Sequence, residues 1–349
     1  MSQEVSKIKI SICIATRNRA RFLAETLENI IPQANDCVEI VIVDGASTDN
    51  TADIVHQFQK RSHNIIYHRL EKNGGVDRDI ARTIEFSRGD YCWIFSDDDF
   101  LKPGAIERML KEIESQCEIY LCNVTACNLA MHPWRDRFWL SSKVQDKIFH
   151  LHEKKEFIEY CNSADSLGAL FSYNCSIILR REEWNKTGFN HAFDRTAYEL
   201  AAALFFFMKR TCRLKYIKDS LVFWRNDNES FQDAGGLVKR FLLDFDGYLQ
   251  LADTYLADDQ QKRDAFLAVM RREHPWYTII NVTSFIDNQE SWREFKGKML
   301  AFGYSPRMAQ LCFAAGRYKH LVAFGVMIKR KILKSRRMNR VAELLWAKR

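Results

Sequence analysis

The chain has 349 residues and a net charge of +7, with 47% hydrophobic and 28% charged residues. That balance excludes a disordered or fibrous protein, and the length admits one large domain or two. No apolar run approaches the ~20 residues of a membrane-spanning helix. The polar start, Met1 to Lys7, leaves no room for a secretory leader before the first strand. Ten scattered cysteines with no CxxC pair exclude a zinc site of ordinary spacing and point to a reducing cytoplasm.

Lys9 to Thr16 is β-branched and apolar and predicts a strand, followed by the polar loop Arg17-Asn18-Arg19. Ala20 to Ile31 carries Phe22, Leu23, Leu27, Ile30 and Ile31 at helical spacing, and Pro32 stops it. Val38 to Val43 is almost continuously apolar, as in a parallel sheet covered on both faces. The break Asp44 to Asp49 follows, with Thr48 or Asp49 placed to cap a helix over Asn50 to Lys60. Asn64 to Arg69 predicts a third strand, Asn73-Gly74-Gly75 a turn, and Val76 to Ser87 a helix. Strand and helix alternate over about the first hundred residues, which implies a doubly wound, mostly parallel α/β sheet flanked by helices.

Tyr91 to Phe95 is the next buried strand, and it runs straight into Ser96-Asp97-Asp98-Asp99. Three carboxylates cannot follow the strand into the core, because an unpaired buried carboxylate costs several kcal/mol. They belong at its carboxyl end, where ligands bind in open α/β sheets. Clustered oxygen donors suit Mg²⁺ or Mn²⁺; a solvated acidic turn is the alternative from these residues alone. Thr16, Asn18 and Asp44 stand at the carboxyl ends of the earlier strands, so separate signals converge on one crevice. Neither GxxxxGK[ST] nor GxGxxG is present, which argues against a P-loop NTPase and a standard dinucleotide binder.

The stretches SICIATRNRARFLAETLENI, VEIVIVDGASTDNT, EKNGGVDRD and RGDYCWIFSDDDFLKPGAI together resemble family 2 glycosyltransferases, inverting nucleotide-sugar enzymes of the GT-A fold. The family pattern Asp-x-Asp-Asp aligns with Ser96-Asp97-Asp98-Asp99, so a serine replaces the first acid. The resemblance implies that Thr16 and Asn18 flank the donor's base and ribose, that Asp44 bonds the nucleobase, and that Asp77 lies beside that pocket. It implies that Asp97 and Asp98 hold ribose or metal. Asp99, and after it Asp97, is the favoured ligand of the metal that bridges the diphosphate.

Leu167 to Leu179 predicts a strand hairpin or a strand after a loop. The segment from His191 leads into the apolar helix Leu200 to Met208, where the family places a catalytic base; Glu199 and Asp194 are the candidates. FWRNDNESFQDAGG and the following RFLLDFDGYLQL are similar to abequosyltransferases and their relatives, bacterial enzymes that add a deoxysugar to a lipid-linked O-antigen intermediate. Arg225 and Asn226 in that block become candidates for donor phosphate or acceptor contact. The expected organisation is a nucleotide-sugar-binding half at 1–115, an acceptor-binding half at 116–270, and a helical basic region at 271–349. Aromatic residues in the last of these, Trp276, Tyr277, Phe285, Trp292 and Phe295, are expected to pack its core.

The positive charge is concentrated at the end. Residues 317–349 carry eleven Lys/Arg against one acid, Glu343, so the other 316 residues net −3. A basic amphipathic tail from Tyr318 suits an anionic membrane surface better than nucleic acid, for which no aromatic–basic motif is present. The expected partners are thus a nucleotide-diphosphate sugar, a glycan or lipid-linked saccharide acceptor, and the inner face of the cell membrane, with no nucleic acid. Two rivals differ in class. A nucleotidyltransferase would want glycines in the Arg17-Asn18-Arg19 loop, and a non-catalytic scaffold would not need carboxylates at every strand end.

Overall fold

The computed structural model describes residues 7–226, 228 and 236–318. Among the described residues, ten strands form one sheet: β1 (Ile10–Thr16), β2 (Val38–Asp44), β3 (Ile65–Arg69), β4 (Tyr91–Phe95), β5 (Phe100–Leu101), β6 (Ile119–Cys127), β7 (Pro133–Arg137), β8 (Lys147–His150), β9 (Ile177–Arg180) and β10 (Arg213–Arg225). The helices are α1 (Ala20–Ile30), α2 (Thr51–Gln59), α3 (Val76–Phe86), α4 (Ala105–Glu112), α5 (Lys154–Ser163), α6 (Arg181–Thr187), α7 (Glu199–Met208), α8 (Gly236–Tyr255), α9 (Gln260–Glu273), α10 (Trp276–Thr283), α11 (Gln289–Ala301) and α12 (Pro306–Gly316).

The strand order is β3-β2-β1-β4-β9-β6-β10-β5, with β7 on β6 and β8 on β10. Pairing is parallel from β3 to β4 and between β6 and β10. β9 enters antiparallel to both β4 and β6. The α/β sheet flanked by helices expected from the alternation is present, parallel over β3-β2-β1-β4 as expected and joined by antiparallel strands beyond, and it runs without a break past residue 115. The apolar sequence of β2 fits its interior place, where all seven residues are buried. Its Glu39 is tolerated there because the carboxylate accepts from Ser11 Oγ at 2.7 Å and from Arg88 N and Nε at 2.6 and 2.8 Å.

Two compact units form. The first holds the described residues up to 228 together with Gln250–Val269, and contains the whole sheet. The second holds 236–249 and the described part of 270–318. It is helical, with Phe245, Ile279, Val282, Phe295, Met299 and Phe302 in its core and Trp292 stacked on Phe313 at 4.2 Å. Trp292 and Phe295 pack inward as the spacing suggested, but Trp276 and Phe285 are exposed. The basic tail beyond Tyr318 and most of the segment 227–235 lie outside the described residues. No described helix is long and apolar enough to cross a membrane.

α1 fixes the acidic turn. Its buried Thr26 donates to the carbonyls of both Asp97 and Asp99, at 3.1 and 3.0 Å. Asn29 exchanges two bonds with the backbone of Leu101. β5 then pairs with Val222 and Phe223 of β10, so the turn is clamped at both ends.

Candidate active site

β1, β2 and β4 are parallel neighbours, so their carboxyl ends bring Thr16, Asp44 and Asp97 to one edge of the sheet. Thr16 Oγ1 donates to Asp97 Oδ2 at 2.6 Å. Asn18 adopts φ +54°, a left-handed conformation that asparagine tolerates. It joins the β1–α1 loop to the turn after β2: its N–H donates to Ser47 Oγ at 2.9 Å, and its Oδ1 accepts from Thr48 N at 2.7 Å. Asp49 has a double duty that the sequence did not show. It accepts from Thr51 N at 3.1 Å, near the start of α2, and from Ala20 N at 3.2 Å, at the start of α1.

The three aspartates divide into two kinds. Asp97 and Asp98 share a guanidinium: Arg19 Nε donates to Asp97 Oδ1 at 2.8 Å, and Arg19 Nη2 to Asp98 Oδ2 at 2.5 Å. Asp98 also accepts from Ser96 Oγ and from Asn228 Nδ2. Asp99 is only 2% exposed. Its Oδ2 accepts from Tyr173 Oη at 2.5 Å and Cys175 Sγ at 3.0 Å, and its Oδ1 from Arg225 N at 2.8 Å. Burial, with the charge of Asp98 beside it, pushes Asp99 up to about 7. Burial raises Asp97 to about 6, with Arg19 pulling the other way.

For a hard divalent ion, Asp97 and Asp98 have the right donor chemistry: two adjacent carboxylates whose counter-ion is one partly exposed side chain. Asp99 is tied by neutral donors that pack into the fold, which ranks it below the pair as a ligand. The described residues contain no ready-made group of three metal-binding side chains. Two carboxylates suffice where a diphosphate and water complete the shell.

Asp44 is fully buried and accepts from Ser47 N and Tyr67 Oη, both at 2.7 Å. Asp79 lies against Gly45, the residue after Asp44: a Cβ on Gly45 would meet Asp79 Oδ2 at 2.5 Å. Asp79 is buried, its Oδ1 has no partner among the described residues, and desolvation lifts it to about 6. Asp77, two residues earlier, is turned instead to the start of α7, accepting from Ala197 N at 3.0 Å.

Glu199 is the first residue of α7 and is fully buried. Oε1 accepts from Asn190 N at 2.9 Å, and Oε2 has no partner among the described residues. Burial, with the nearby charge of Asp77, pushes it up to about 8. The preceding turn is strained, with Arg195 at φ +62° and Ala197 at φ +64°. Asp194 differs in kind: Arg78 holds it through Nε at 3.0 Å and Nη2 at 2.6 Å, and keeps it below the usual carboxylate range. Arg225 is buried and its guanidinium is committed, to Asp98 O at 2.8 Å, Leu129 O at 2.6 Å and Glu25 Oε2 at 2.7 Å. Asn226 donates its backbone N–H to Cys127 O at 3.0 Å.

The profile of glycosyl transferase family 2 matches residues 11–197, more than half of the chain. The chain belongs to that family. It is 33% identical over 299 residues to the abequosyltransferase RfbV of Salmonella typhimurium, spanning 83% of this chain and 89% of that one. It is 28% identical over 107 residues to the glycosyltransferase GlyG of Streptococcus pneumoniae, covering 31% and 36% of the two chains. S. aureus TarS, crystallised with UDP-GlcNAc, superposes with a TM-score of 0.61 at 16% identity over 84% of this chain and 80% of TarS. The mannosyltransferase PcManGT from Pyrobaculum calidifontis, in complex with GDP-Man and Mn²⁺, does so with 0.54 at 14% identity over 99% and 91%. The fold is thus that of GT-A glycosyltransferases, and this family 2 chain is a glycosyltransferase.

The matched stretch includes every candidate from Thr16 to Asp194; Glu199 and Arg225 lie just beyond it. Sequence reasoning passed over Arg19, Asp79, Tyr173 and Cys175. The first two sit inside the quoted motifs TRNRARF and GGVDRD, where a charge just after β1 and a second acid beside Asp77 in the first turn of α3 were the available signals. Tyr173 and Cys175 reach Asp99 from more than seventy residues away, and nothing local announces that contact.

Proposed function

We propose that this glycosyltransferase moves a sugar from a nucleotide-diphosphate donor to an acceptor hydroxyl, with inversion, on a lipid-linked glycan of bacterial O-antigen or surface-polysaccharide synthesis. The observation that carries the donor reading is the convergence of Thr16, the Asp44 turn and the Asp97-Asp98 pair at one edge of three parallel strands. The long match to an abequosyltransferase supports sugar transfer in polysaccharide synthesis.

Asp97 and Asp98 would hold Mg²⁺ or Mn²⁺, which supplies neutralising charge to the diphosphate leaving group when bound. The chain's own residues do the rest. Asp44 at the end of β2, and Asp79 of α3 against the adjoining Gly45, line the place for the nucleobase, where a carboxylate accepts an N–H edge. Glu199 takes the proton from the acceptor hydroxyl; a carboxyl lifted toward neutrality is a stronger base than the Arg78-paired Asp194. Arg225 supports the acidic turn from beneath rather than meeting the donor. The expected setting is cytoplasmic, with the basic tail on the inner face of the membrane.

The test is thermal unfolding with UDP, GDP, CDP and their sugars, with and without Mn²⁺, on the wild-type chain and on Asp98→Asn. A stabilisation that needs both Mn²⁺ and one particular base, and that Asp98→Asn loses, is the expected result. Stabilisation by nucleotide alone, equal in the variant, would remove the metal from the site. Metal-dependent hydrolysis of the sugar nucleotide without acceptor would exclude the scaffold.

A further inference from the structure

Two arginines touch the acidic turn, and they are built differently. Arg225 is buried and its guanidinium is bonded to Asp98 O, Leu129 O and Glu25, between the rings of Phe22 and Phe100. Arg19 has a side chain 23% exposed, and it bonds only to the carboxylates of Asp97 and Asp98 among the described residues. It stands in the loop before α1, with φ −134° and ψ 32°, and its guanidinium rests on the Phe22 ring 4.9 Å away. A change of rotamer releases Arg19, whereas releasing Arg225 would strip three acceptors at once.

Resting on the donor reading above, we propose that Arg19 is the resident cation of the Asp97-Asp98 pair, and that it yields the pair to the divalent ion and turns to the diphosphate when the donor arrives. The charges argue for the exchange. Asp97 and Asp98 bring two negative charges, and Arg19 neutralises one. A divalent ion entering alone competes with the guanidinium for the same oxygens and leaves the cluster positive. A sugar-nucleotide diphosphate brings two further negative charges, which removes that excess positive charge and gives the guanidinium a bidentate phosphate partner of the kind it binds best. Metal and nucleotide therefore reinforce each other through Arg19, and that coupling is reciprocal. The device also holds the carboxylates together in the empty enzyme, where two adjacent charges would otherwise repel.

The experiment is titration of the full chain with Mn²⁺, followed by the electron paramagnetic resonance of free Mn²⁺, with and without UDP, GDP or CDP. In the wild-type chain Mn²⁺ must bind more weakly alone than with the favoured nucleotide; independent binding overturns the proposal without any variant. Arg19→Ala and Arg19→Gln, the second keeping bulk where the first fails to fold, should hold Mn²⁺ alone about tenfold more tightly, since a nearby positive charge is gone. Their gain from nucleotide should shrink by a similar factor. Equal Mn²⁺ affinity in wild type and variants sinks the exchange but leaves the metal site standing. No retention of Mn²⁺ by the wild type with any of the nucleotides removes the metal reading, and this proposal with it.

Discussion

Glu199 and Asp194 sit in opposite environments despite being five residues apart in the chain, one buried and one paired with Arg78. Burial and the neighbouring Asp77 raise Glu199 to about 8, so its folded form holds a proton that the unfolded chain releases near the ordinary carboxylate value. The stability this gives is present at low pH and is lost as pH rises through about 8. Glu199→Gln keeps the shape without the charge, so its melting temperature should exceed that of the wild type by an amount that grows between pH 5 and pH 9, on the order of a few degrees. Asp194 has the opposite sign: its pairing with Arg78 lowers it, and the benefit is present above the normal carboxylate range and fades in acid. Catalysis separates the two again. The rise of kcat/KM through about pH 8 should vanish in Glu199→Gln, with nucleotide affinity kept, while Asp194→Asn should preserve the limb. A limb retained by Glu199→Gln and lost by Asp194→Asn would move the base to Asp194.

At the scale of elements, the acidic turn is held less by its own strand than by α1. Thr26 is fully buried, and one hydroxyl donates to the carbonyls of Asp97 and Asp99. Thr26→Val is nearly isosteric but strands both carbonyls without that donor, a cost of about 1–3 kcal/mol. Chemical denaturation should show that loss, and Mn²⁺-dependent nucleotide binding should weaken with it because the carboxylates are no longer aligned. A variant with wild-type stability would mean that water replaces the hydroxyl. This dependence marks where the sequence is legible. The runs at β1, β2 and β4 announced buried parallel strands, and three aspartates after β4 could only lie at the sheet edge. Which oxygen faces which donor was not legible, because it is decided by distant partners. Asp99 is claimed by Tyr173 and Cys175, and the strand that follows them, β9, slips antiparallel between β4 and β6. A periodicity of two in Asp77 and Asp79 likewise concealed that one faces α7 and the other Gly45.

At the scale of the whole molecule, positive charge is concentrated at one end of the chain. Residues 319–349 carry ten Lys/Arg against Glu343, so the 318 residues before them net −2. A near-neutral body has little attraction for an anionic surface, whereas each cation close to one contributes about 1 kcal/mol, so engaging half of the ten strengthens attachment more than about a thousandfold. The full chain should therefore sediment with vesicles containing phosphatidylglycerol and not with neutral phosphatidylcholine vesicles. A chain ending at Tyr318 should stay in solution with its nucleotide-dependent stabilisation intact. Salt distinguishes the source of any binding, because the screening length falls to about 3 Å at 1 M ionic strength. Attachment through the tail should be abolished there. If the shortened chain still sediments, and does so in high salt, the attachment belongs to apolar contact, for which the second unit offers exposed Trp276, Phe285, Leu311 and Tyr318. That outcome would relocate the membrane contact from the cationic tail to the helical unit and leave the donor site at the sheet edge unchanged.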